Sequence, residues 1–232
     1  VKGFKSVQYA GALGNLKPEL SSVYLYQDAG HLLFAATDSF RLAEKKVPLK
    51  KDVLGHGILI PIRNVGEFVH LLEEEEGEIK VSVGKGQLSV ETQNMLIMSR
   101  LVEGTFPDYR QIIPKEFATE ATVLKEDLVQ ALKVTTLFSD RFNQLHMRVD
   151  PRKKVFEFQA RNGDVGESSF HLSAALSGGE LEGNFNHRYI HDCLQALPGD
   201  SVSFRWSGES RPLLIQGVGD SLFQYLIMPM NR

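Results

Sequence analysis

The chain has 232 residues with 42% hydrophobic and 24% charged residues, the balance of a folded globular protein with room for two domains, which excludes disorder and collagen-like repetition. A net charge of -3 and a pI near 6.2 exclude a surface coated in basic residues for non-specific nucleic-acid binding, but leave room for a local basic lining. The longest apolar run, residues 32–36, is far short of the about 18 residues of a membrane span, and no signal-peptide pattern opens the chain. The single cysteine, Cys193, forms no internal disulfide, and no Cys/His cluster supplies four metal ligands. That is the pattern of a reduced, cytoplasmic protein that calls for no metal or other cofactor.

In chain order, Phe4, Val7 and Gly11 predict a helix over 2–13. Period-two stretches at Val23/Leu25 and Leu33/Ala35 predict strands joined by the turn Asp28-Ala29-Gly30. Val65, Phe68, Val69 and Leu72 give a helix over 63–72, and strands follow at 78–83, 87–91 and 95–102. Residues 104–120, with Pro107 and Pro114, break both periodicities and place the joint, so the domains are expected at 1–116 and 117–232.

The same order then returns. Leu128, Ala131, Leu132 and Thr135 mark a helix over 124–138. Leu145/Met147/Val149 and Val155/Phe156/Phe158 mark strands across the turn Asp150-Pro151-Arg152. Tyr189, Ile190, Cys193, Leu194 and Leu197 face one side of a helix over 187–197, and strands close the unit at 201–206, 213–216 and 222–228. Phe34-Ala35-Ala36-Thr37-Asp38-Ser39 falls opposite Phe158-Gln159-Ala160-Arg161-Asn162-Gly163 at an offset of 124, and 63–72 falls opposite 188–197 at 125. The fold class is therefore α+β: two tandem copies of a domain in which two helices pack on antiparallel sheet.

Few residues suggest catalysis. His187 and His191 are four apart on a predicted helix, the spacing of a zinc protease, but Arg188 stands where that chemistry needs a glutamate base. Both histidines are assigned to the polar face. Gly84-Lys85-Gly86 lacks the spacing and following helix of a phosphate cradle and is assigned to a hairpin turn. Asp38 and Ser39 with a histidine form the alternative from another class, a hydrolase, although no GxSxG elbow surrounds Ser39. Cys193 lies on the apolar side of its helix, as a core residue. Glu73 to Glu76 are read as a solvated helix end in preference to a metal or partner site. The four predicted helices together carry a net +2 and the rest of the chain -5, a mild bias towards a basic helical face.

Three segments carry a resemblance: Ala36-Thr37-Asp38-Ser39-Phe40-Arg41-Leu42-Ala43, Glu103-Gly104-Thr105-Phe106-Pro107-Asp108-Tyr109-Arg110, and Tyr225-Leu226-Ile227-Met228-Pro229-Met230. They resemble the bacterial DNA polymerase III beta subunit, the sliding clamp family, and match the second and third of its three domains in order. The resemblance implies a non-catalytic accessory subunit of a DNA-directed DNA polymerase (nucleotidyltransferase) holoenzyme. Six such domains form a ring around duplex DNA, with helices inside and sheets outside, held by sequence-independent contacts. Lining candidates are Lys2, Lys5, Arg63, Lys125, Lys133 and Arg188.

The resemblance also implies an apolar cleft that docks short peptides of the glutamine-leucine-x-leucine-phenylalanine kind, borne by the polymerase III alpha subunit, other polymerases, the clamp loader and repair proteins. Residue by residue it places there Leu20, Thr37, Ser39, Phe40, Arg41, Leu42, Pro107 and Ile112, then Tyr189, Pro212, Leu226, Met228, Pro229 and Met230. Leu42 and Leu226 also read as core. Phe40 stands where the family often has histidine, and Asn231, followed by Arg232, where arginine is usual. Leu137 and Phe138 match the residues that meet the first domain of a neighbouring subunit. No counterpart of that first domain is present, so the resemblance leaves open a truncated chain, a two-domain clamp closing as three copies, or a clamp-fold protein that docks peptides without encircling DNA.

Overall fold

Helix α1 (Lys2–Val7) is shorter than the 2–13 pattern predicts, giving way to a 3₁₀ turn at Gln8–Ala10. Its buried face is Gly3, Ser6 and Val7, a stripe of small residues, while Phe4 stays half-buried with its ring edge-on to Phe34 at 5.0 Å. A Cβ at Gly3 would run into the Phe34 ring, so the helix lies closer to the strands beneath than a larger residue allows. The structure is a computed structural model that describes residues 1–14, 16–51 and 54–230. The chain divides into two units, Val1–Asp108 and Tyr109–Arg232.

In the first unit, β1 (Ser22–Asp28), β2 (His31–Thr37), β3 (Arg41–Pro48) and β4 (Ile58–Pro61) form an antiparallel sheet in the order β4-β1-β2-β3. The turn between β1 and β2 closes on Ala29 and Gly30, both at positive φ, as its sequence predicts. β3 and β4 go beyond the sequence reading. β3 hid because Glu44 and Lys45 are buried in it, against the usual exposure of charged residues. Helix α2 (Ile62–Leu72) buries Val65, Phe68, Val69 and Leu72, the face its spacing predicts. A second sheet of β5 (Lys80–Gly84), β6 (Gln87–Glu91) and β7 (Leu96–Arg100) follows in that order. Lys85 and Gly86, at φ 48° and 72°, make the tight turn between β5 and β6.

The second unit opens with β8 (Thr119–Leu124), which leads directly into α3 (Lys125–Thr136). Then come β9 (Gln144–Asp150), β10 (Val155–Asn162), β11 (Gly166–His171), β12 (Ala174–Gly178) and β13 (Leu181–Asn186). Helix α4 (His187–Cys193) precedes β14 (Ser201–Trp206), β15 (Leu213–Gly217) and β16 (Phe223–Ile227). One sheet runs β12-β8-β14-β15-β16 and the other β11-β10-β9-β13, every adjacent pair antiparallel. Between them lie Phe156, Phe158, Phe185, Phe204, Trp206, Phe223 and Tyr225, at most 1% exposed. Phe156 meets Phe204 and Trp206 edge-on, with centroids 5.7 and 6.2 Å away. Each such ring contributes about 1.5–3 kcal/mol by burial alone.

Two helix assignments change. Helix α4 ends at Cys193, short of 197, and its first residue is not a polar-face histidine: His187 is buried, whereas His191 is exposed. The His187 backbone N–H donates to Asn143 O at 3.0 Å, which draws the residue inward. Burial, reinforced by Arg188 and His191, lowers the imidazole pKa. Cys193 is wholly buried, with Sγ donating to Ile190 O.

Candidate functional site

The first group of candidate residues sits on the connection from β2 to β3. Thr37 Oγ1 donates to Arg41 O at 2.6 Å and accepts from Ser39 N–H at 3.1 Å. The Asp38 carboxylate accepts from the backbone N–H groups of Phe40 and Arg41, and from Arg41 Nε at 3.0 Å. These bonds hold Ser39 at φ 79°, a conformation that an L-residue keeps only when its surroundings over-determine it. The result is a rigid loop that presents the Phe40 ring to solvent, 63% exposed. Both Asp38 oxygens are engaged with the loop itself, so the carboxylate serves the turn in place of orienting a hydrolase base. Pro107 is exposed, while Leu20 and Leu42 are buried.

The second group gathers in the second unit. Ile112, Pro212 and Met228 line one open groove of about 700 Å³, together with Ile113, Phe117 and Arg211 among others. Ile113 and Phe117 escaped the sequence reading; their signal was apolar side chains spaced through an otherwise polar, proline-bearing segment. Met228 follows β16 directly, and the residues after it are held in place, since Met230 N–H donates to Asn184 O at 2.8 Å. Met228, Pro229, Met230 and Tyr189 are all half-buried, whereas Leu226 is 1% exposed inside β16 and pairs with Leu214. Asn231 and Arg232 lie outside the described residues.

The basic candidates differ in what they are bound to. Lys2, Arg63, Lys133 and Arg188 are exposed. Lys5 forms an ion pair with Glu73, which gives the first glutamate of the 73–76 run a partner. Lys125 Nζ donates to Leu197 O at 2.8 Å, just beyond α4. Asn186 caps that helix by accepting from Arg188 N–H at 2.9 Å. Leu137 is 71% exposed at the end of α3, and Phe138 beside it is half-buried. Among the described residues there is no cluster of three or more metal-ligating side chains, and no helix is long and apolar enough to cross a membrane.

Comparison with known proteins gives these features a family. The model of the DNA polymerase III beta subunit central domain matches residues 2–108, and that of its C-terminal domain matches residues 110–231. The beta sliding clamp of Haemophilus influenzae is 30% identical over 207 residues, covering 89% of this chain and 56% of that protein. The solved DNA polymerase sliding clamp from Bacillus subtilis superposes with a TM-score of 0.94 at 26% identity, over all of this chain and 62% of that one. The DNA polymerase III subunit beta from Pseudomonas aeruginosa has the same fold, with a TM-score of 0.94 at 24% identity and 63% of its length covered. The chain thus spans about three fifths of the length of these relatives. It belongs to the DNA polymerase III beta subunit family, to which it contributes a central and a C-terminal domain.

Proposed function

We propose that the protein serves as a sliding clamp, a non-catalytic processivity factor of a replicative DNA polymerase in the bacterial cytoplasm. Within a closed ring its helices face duplex DNA and make weak contacts that do not depend on sequence. Closure prevents escape while low-affinity phosphate contacts permit sliding. Its second task is to dock peptides of the polymerase III alpha subunit, other polymerases, the clamp loader and repair proteins.

The observation that carries the reading is the groove lined by Ile112, Pro212 and Met228. Aliphatic, proline and methionine walls suit the leucine and aromatic side chains of such a peptide, each contributing about 1.5–3 kcal/mol before the loss of freedom on binding is subtracted. Methionine adapts its shape, so one groove accepts several partners. On the first unit, Phe40 adds a rigid, exposed ring.

The test is fluorescence anisotropy of a labelled Gln-Leu-x-Leu-Phe peptide against the chain and its Met228→Ala/Met230→Ala variant. Affinity is expected to fall at least about tenfold, with Ser39→Ala nearly neutral; an unchanged affinity in the double variant removes the groove from the proposal. Ring closure is read separately by light scattering. A species near three times 26.0 kDa is expected if the chain closes through Leu137 and Phe138 by itself, and loading on circular DNA separates a true clamp from a peptide-docking protein alone.

A further inference from the structure

The groove that holds Ile112, Pro212 and Met228 is not apolar along its whole wall. Lys115, Glu116, Phe117 and Arg211 line it too, and the three charged residues are exposed. Two bonds fasten this part of the wall to the end of β14: Ser207 Oγ donates to Glu116 O at 2.6 Å, and Ala118 N–H to Trp206 O at 2.7 Å. Between them Phe117 lies under the Arg205 guanidinium, whose carbon is 4.6 Å from the ring centroid. The ring that lines the groove thus also covers a cation.

These cations are not neutralised within the chain. Arg205 stands opposite Glu120 on β8 and Leu214 on β15, yet its buried Nε has no hydrogen-bond partner. Among the described residues no ion pair engages Lys115, Arg205, Arg211, Glu116 or Glu120. The charges that line the groove are therefore two free cations against one carboxylate, and Arg205 adds a third cation behind Phe117. Glu120 and Glu209 lie nearby in sequence or register but do not line the groove and are exposed to water, which screens them.

We propose that this cationic part of the wall selects docking peptides that carry carboxylate side chains beside their apolar motif, received by the Arg211 guanidinium and the Lys115 ammonium. A guanidinium accommodates a carboxylate through two parallel N–H bonds, and the lysine adds a point charge. Cationic flanks are turned away by the same groups, so the groove discriminates by charge as well as by apolar fit. The inference rests on the peptide-docking reading of the groove and adds a preference to it. The chain as a whole carries a charge of -3, so a preference for acidic peptides cannot come from its overall charge.

The test compares three labelled Gln-Leu-x-Leu-Phe peptides by fluorescence anisotropy, flanked at each end by paired aspartates, asparagines or lysines. Affinity is expected to fall in that order, by at least about fivefold from first to last at low ionic strength and by less as salt rises. In Lys115→Gln/Arg211→Gln the preference for the aspartate peptide over the asparagine peptide is expected to vanish. A groove merely damaged by the substitutions would weaken all three peptides and keep the preference. Equal affinities for the unaltered chain, or an aspartate preference that survives in the variant, overturn the inference and leave peptide docking in place. Failure of every peptide to bind removes the docking reading, and this inference with it.

Discussion

Strands β5 and β14 hold the same place in the two units and begin alike, Val81-Ser82-Val83 against Val202-Ser203-Phe204. Yet Val202 is wholly buried and Val81 is half exposed. The difference lies in the neighbours: β14 is flanked by β8 and β15, and β5, among the described residues, by β6 alone. A local hydrophobic pattern sets which face of a strand is apolar, while the next strand over determines how much of that face leaves water.

The contrast breaks most visibly under truncation. Phe204→Ala removes a ring packed between Phe156 and Trp206 and is expected to destabilise the second unit by about 3–5 kcal/mol in urea titrations. Val81→Ala is expected to lower the stability of the first unit by less than about 0.5 kcal/mol, since most of its surface is already wet. Equal losses at the two positions would mean that β5 is covered in solution. A second asymmetry is the small face of α1. Gly3→Ala places a methyl group against the Phe34 ring and is expected to destabilise the first unit by about 1–3 kcal/mol, although alanine is the better helix former.

Much of this was legible from the sequence, for identifiable reasons. α2 and α3 have apolar residues at helical spacing and bury the predicted residues. The 2–13 pattern runs past the end of α1 because it includes Gly11, whereas the helix packs through Val7 together with Gly3 and Ser6, two residues that no hydrophobic pattern reveals. β11 and β12 were missed because they are mostly polar and exposed, and β3 because it buries Glu44 and Lys45. At the candidate site, Phe40, Ile112 and Met228 are accessible side chains that the motif matching named, but Leu20, Leu42 and Leu226 are buried. Motif position identifies a segment; alternation along the strand sets which of its residues face out. His187 shows the converse. It has the sequence context of a surface residue, yet it is buried, with its backbone N–H donating to Asn143 O.

That burial gives the second unit a response to acid. The folded-state pKa of His187 is lowered, principally by burial, so the neutral form is the one that folds. Its contribution to stability is complete above the ordinary imidazole value of about 6.5 and is lost as pH falls through the window below it, where the unfolded chain takes up a proton first. Urea midpoints of the second unit are expected to fall across that window, and His187→Gln to flatten this part of the slope. An unaltered slope in the variant would assign the acid response to other groups.

The smallest expected effect concerns the basic side chains. Lys5 is paired with Glu73 on the surface of the first unit, whereas Lys133 is exposed on the second and no described acidic group pairs with it. If both helices face DNA, Lys133 releases a counterion on binding, but Lys5 must first give up its partner. Lys133→Ala is therefore expected to reduce the slope of log affinity against log salt by up to about 0.9, the contribution of one phosphate contact, and Lys5→Ala to leave it nearly unchanged. Folding stability is no guide to the outcome, because exposed ion pairs contribute about 0–1 kcal/mol. Glu73→Gln supplies the decisive comparison: freeing Lys5 should raise the salt slope towards that of a chain with one more phosphate contact. If it does not, α1 is turned away from the DNA, and the basic track follows the second unit.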